Sequence, residues 1–168
     1  MAQTYEPIAT NTLVSPASSV TFSSIPSTYT DLIFVINARG TSSGNSTSVY
    51  FVTNITGSNY SSTWFVGDGS TAITSRYSGL SQGYLGYISG ASTNASSRGT
   101  VIAQFMSYAS TSVFKHVISR GNVAEAESDF YASLIRSTSA ITSITVGEGG
   151  GNNFVAGSTF TIYGIKAA

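Results

Sequence analysis

Apolar and polar residues alternate in short runs along almost the whole chain, and turn-forming residues interrupt the runs before any grows long. A period of two places alternate side chains on opposite faces of a strand, whereas a helix would need apolar residues every three to four positions. Ser19 to Ser23 alternates around Val20 and Phe22. Val49 to Ile55, Tyr60 to Val66, Thr100 to Tyr108, Ser112 to Ser119, Phe130 to Ile135, Ile141 to Val146 and Ser158 to Ile165 are further strand candidates. Asp31 to Ala38 holds the densest apolar run, Leu32 to Ile36, and reads as a central strand buried on both faces. This gives roughly eight to ten short strands, at the spacing of a sandwich or barrel. The expected fold is all-β: an antiparallel β-sandwich, jelly-roll-like. Leu32, Phe34, Ile36, Val101, Ala103, Phe105, Val117 and Ile144 are its expected core.

The chain is expected to form one domain, since 168 residues suit one core. Residues 1–18 read as an extended N-terminal arm or edge strand, because Pro7 and Pro16 cannot donate to a ladder. Residues 19–168 read as the sandwich itself. Tyr5, Ile8 and Leu13 are the arm's candidate assembly contacts. The middle, Ser70 to Gly99, carries weaker signals; Tyr84 to Ile88 could form a short strand there. Val123 to Ile135 would tolerate a helical turn around Ala124 to Glu127.

Serine and threonine fill about 30% of the chain and charged residues only 8%. Formal net charge is zero, and the seven basic residues are scattered. A sequence-independent nucleic-acid binder needs cations gathered on one face, so no nucleic-acid partner is expected. No apolar run approaches the length of a membrane span, and no membrane partner is expected either. The sequence Met-Ala-Gln-Thr-Tyr-Glu-Pro lacks the basic and apolar regions of a secretory signal, so synthesis in a cytoplasm is expected. A neutral chain has little charge repulsion against association, which suits a subunit of an assembly.

Reactive chemistry is sparse. Without cysteine there is no disulfide and no thiolate metal site. His116 is the one histidine; it reads as a polar residue on the outer face of a strand, with a Ser–His–Asp triad as the competing reading. Glu125, Glu127 and Asp129 would share one face of a strand and could offer oxygens to calcium, or form a solvated edge. The glycine-rich segment from Gly147 to Gly151 lacks the lysine of a phosphate loop. Asn45, Asn54, Asn59 and Asn94 begin sequons of a kind that arises by chance in so Ser/Thr-rich a chain. Tyr60, Trp64, Tyr77, Tyr84 and Tyr87 lie in loop-rich stretches, where they could pack an interface or stack on sugar rings. No catalytic residue, cofactor or metal is assigned, and no enzymatic turnover is expected.

Three features occur together: Tyr5-Glu6-Pro7-Ile8-Ala9-Thr10; Phe22 through Pro26 to Leu32; and the pair Ala140 to Ile144 with Ser158 to Ile165. On these segments the chain resembles small virion structural proteins of tailed bacteriophages, of the aquatic and cyanophage type. Similarity covers both ends well and the middle poorly. The resemblance implies a virion component and transfers no functional residue. The leading expectation is a capsid decoration (cement) protein, a homotrimer that stabilises the lattice of the major capsid protein. The alternative is a tail-fibre or receptor-binding head domain that recognises host surface glycan.

Overall fold

A computed structural model describes residues 5–166. Among them are twelve strands and no helix: β1 (Tyr5–Thr12), β2 (Ser19–Phe22), β3 (Asp31–Ala38), β4 (Ser46–Thr53), β5 (Tyr60–Gly67), β6 (Ala72–Leu80), β7 (Gly83–Ser89), β8 (Gly99–Met106), β9 (Lys115–Val123), β10 (Glu127–Ile135), β11 (Ile144–Glu148) and β12 (Thr159–Ile165). They form an eight-stranded sheet, ordered β1-β12-β3-β8-β9-β10-β5-β6, and a four-stranded sheet, ordered β2-β11-β4-β7. All strand pairings are antiparallel. From β2 to β5 the chain changes sheet at every step. The fold is the expected all-β sandwich.

The core forms because period-two alternation turns one face of each strand inward. Leu32, Phe34, Ile36, Val101, Ala103, Phe105, Val117 and Ile144 are all buried, as their pattern predicts. Phe105 sits between Phe34 and Phe51, 5.1 Å from the Phe51 ring in an edge-on contact. The small sheet lies over the middle of the large one, with β7 packed across β8, β9 and β10. Buried hydroxyls join the layers: Ser133 Oγ donates to the Tyr84 carbonyl, and the Tyr84 amide donates to Ser62 Oγ. Ser62, Ser133 and Ser158 are buried serines whose hydroxyls each exchange a hydrogen bond with a backbone group.

Four local expectations change. β3 is fully buried on one face only; Ile33 and Val35 are half-buried on the other, because no layer covers the outside of the large sheet. The middle of the chain holds a nine-residue strand, β6, that its polar sequence conceals. The Ala124–Ala126 segment forms a turn between β9 and β10 in place of a helical one. β9 starts at Lys115 rather than at Ser112, so the loop after β8 is longer than the sequence suggests.

Candidate functional site

The uncovered face of the eight-stranded sheet is the main surface feature of the molecule. Register aligns its outward side chains in rows across the strands. One row runs Thr161, Val35, Ile102, Arg120, Phe130, Phe65 from β12 to β5. The next runs Tyr163, Ile33, Gln104, Ile118, Ala132, Thr63. Adjacent strands lie about 4.8 Å apart, so neighbours within a row touch. The middle of both rows forms an apolar groove of about 520 Å³, with Tyr5 at its β1 end and Phe130 at the other. Phe65 is 50% exposed and Phe130 41%, and their rings lie 6.3 Å apart.

Arg120 is the charge in the groove. It is exposed between Ile102 and Phe130 and makes no hydrogen bond or ion pair among the described residues. His116 lies in a third row, exposed, opposite Met106 and Leu134. Its placement is the outer-face reading of that residue.

Most other ionised groups build structure. Lys115 is fully buried, and its ammonium donates to the carbonyls of Ser110, Val113, Ser137 and Thr138 at 2.6–3.3 Å. Burial pushes its pKa down. Arg39 donates to the carbonyls of Ala91, Thr93 and Asn94 and so holds the 91–94 loop. Glu148 accepts from Thr47 Oγ1 and from the amides of Gly150 and Asn152, which shapes the glycine-rich segment around a buried carboxylate. Asp68 accepts from Ser70 and Thr71 in the β5–β6 loop, and those bonds hold its pKa down.

Glu127 and Asp129 face inward on β10, but Glu125 stands in the turn before it, where it accepts from the Asn94 amide. The three therefore do not converge, and among the described residues no group of three or more His, Cys, Asp or Glu is placed to hold a metal. Asp129 packs against Gly86 and Gly121 and accepts from the Tyr87 amide. Its Oδ1, Glu127 Oε1 and Ser119 Oγ are buried without partners. Burial pushes the Asp129 pKa up to about 7, and the Glu127 charge adds to the rise. Gly86 has φ +144°, and a Cβ there would come within 2.5 Å of Asp129 Oδ1, so only glycine fits.

The arm residues are divided. β1 pairs with β12 as an edge strand of the large sheet. Tyr5 lines the groove; Ile8 and Leu13 are half-buried against the core. The aromatics picked from sequence also separate. Tyr60 is fully buried, with its hydroxyl donating to the Ile55 carbonyl. Trp64 stacks on Tyr131, Tyr87 lies against the same ring, and Tyr77 meets Tyr84 at 5.7 Å. Three of the sequon asparagines close local turns or join loops: Asn54 to Ala140, Asn59 to Thr56, and Asn94 to Ser96.

The groove escaped sequence reading. Its residues are the second half of each alternation, and Ile33, Val35, Ile102 and Ile118 looked like core or outer-strand residues without the register that lines them up.

No family model matches the chain, and no curated protein matches it. Among solved structures the chain is similar to a legume lectin-like domain from Entamoeba histolytica, at 6% identity over 98% of this chain and 91% of that one. The TM-score is 0.29, too low for that likeness to carry an argument.

Proposed function

We propose that the protein is a structural component of a tailed-phage virion: a homotrimeric decoration protein that sits on the major capsid lattice and stabilises it. The observation that carries this is the apolar outer face of the eight-stranded sheet, a surface suited to being covered by protein. Its mechanism is added contact area. Stable interfaces bury about 1,200–2,000 Å², and a trimer that bridges capsomers multiplies such contacts through avidity. The segments that carry the phage resemblance support the reading in another way, because they are neighbours in space. β1 pairs with β12, β12 with β3, and Phe22 with Ile144. They make two patches, one in each sheet, that meet where the Phe22 ring packs on Phe34.

A second reading is the head domain of a tail fibre that holds host glycan. Tyr77, 46% exposed beside Tyr84, favours it, since such rings offer faces to sugars. A cryo-EM map of the intact particle decides between the two. Hundreds of copies over the shell support decoration; a few copies at the tail support adhesion; absence from the particle overturns both.

A further inference from the structure

We propose that the groove around Arg120 receives the β9–β10 turn of a second copy, with Glu125 set against the guanidinium, in a head-to-tail contact that closes a ring. The proposal rests on the homotrimer reading above and gives it a contact.

Arg120 has no hydrogen-bond or ion-pair partner among the described residues and stands among Ile102, Ile118 and Phe130. Covering this face with a purely apolar partner would strand a buried guanidinium with its charge uncompensated, which is strongly unfavourable. The occupant therefore brings a carboxylate. Pairing of two grooves face to face does not supply one. The acid in the outward rows is Asp31, and its oxygens already accept from Gln104 Nε2 and the Ser107 amide.

The chain's own acids then narrow to one. Glu6 pairs with Lys166 at 2.8 Å. Both oxygens of Asp68 are taken by Ser70 and Thr71. Glu127 and Asp129 face the interior, and Glu148 is buried. Glu125 is exposed, and its single partner is the Asn94 amide.

Shape agrees with charge. Glu125 stands at the tip of a tight turn closed by the Ala126 amide on the Val123 carbonyl. Ala124 and Ala126 flank it with small side chains, and Asp68 and Glu127 line the same hollow, so the tip is narrow and acidic. The groove is the complement: apolar residues around one guanidinium, in about 520 Å³. Arg–carboxylate pairs gain further from paired donors in the fork of the guanidinium. Turn and groove are different patches of one molecule, so the contact is heterologous, and a suitable rotation closes it into a ring.

Sedimentation velocity on the full chain tests this. The intact chain should sediment as a closed oligomer. Arg120→Glu and Glu125→Arg should each weaken association at least tenfold, and the double swap should restore it. Both side chains are exposed, so the far-UV circular dichroism should not change; Arg120→Ala and Glu125→Gln give milder versions of the same loss. A monomeric intact chain, an oligomer that neither single swap weakens, or a double swap that fails to restore association overturns the proposal. None of these results bears on whether the protein lies in the virion, which the particle map tests separately.

Discussion

At the scale of the residue, the few charged groups show how a Ser/Thr-rich sandwich spends its ions. Among the described residues Lys115 has no carboxylate partner; four carbonyls take its place and tie the start of β9 to the 110–113 and 137–138 loops. Hydrogen bonds to a charged group are worth about 1.5–3 kcal/mol, and orphaned buried carbonyls add to the loss. Lys115→Met should therefore lower unfolding free energy by about 2–4 kcal/mol, as read by urea denaturation. Asp129 behaves in the opposite sense. Its folded pKa, about 7, is raised above the unfolded value near 3.9, so the folded state holds a proton that the unfolded state has lost. Its contribution is greatest below about pH 4 and is lost as pH rises towards 7. Stability should fall across that window by on the order of 3 kcal/mol. Asp129→Asn should flatten the fall, as followed by thermal unfolding between pH 4 and 8. A mutant with the same pH slope as the parent would refute the assignment to Asp129.

At the scale of the element, the two edges of the large sheet differ. β1 is joined to β12 through most of its length, with a shift of register between Pro7 and Ala9, where proline can give no ladder hydrogen bond. It also contributes Ile8, and Leu13 follows just after it, both against the core. Removing residues 2–14 should lower the melting temperature by about 5–10 °C while leaving a β-type circular dichroism spectrum. It should also promote aggregation visible by light scattering, because β12 becomes a long unpaired edge. An unchanged melting temperature would show that β1 adds nothing to the fold. β6, at the other edge, is exposed on both faces along nearly its whole length. Its sequence, with Ser75, Arg76 and Ser78, carries little apolar alternation, and pairing with β5 is what makes it a strand.

At the scale of the whole molecule, sequence-distant strands must meet before the core can close. β1 pairs with β12, and β2 with β11. Such topologies fold slowly because loop closure is paid before contacts reward it. Refolding from urea should take milliseconds to seconds by tryptophan fluorescence, with Trp64 as the reporter against Tyr131. A dominant microsecond phase that recovers native signal would contradict this.

Alternation alone was enough to define the class of fold and the inward set, because a period of two commits every second side chain to one face. Phe34, Phe105 and Ile144 were legible as core for that reason. The form of the link between β9 and β10 was not, since alanine and glutamate suit a helix as well as a turn and local propensity is weak there. The site was less legible still. Tyr5 lines the groove, while Ile8 and Leu13 pack against the core. Ile102, Arg120 and Phe130 lie on three strands, and only antiparallel register sets them in one row. Tertiary structure decided that row, and with it which half of each alternation is left bare. With eight of the described strands in one sheet and four in the other, one face of the large sheet is covered and the other is left outward. The period of the sequence determines that each strand has two faces; the order of the strands determines which of them meets solvent.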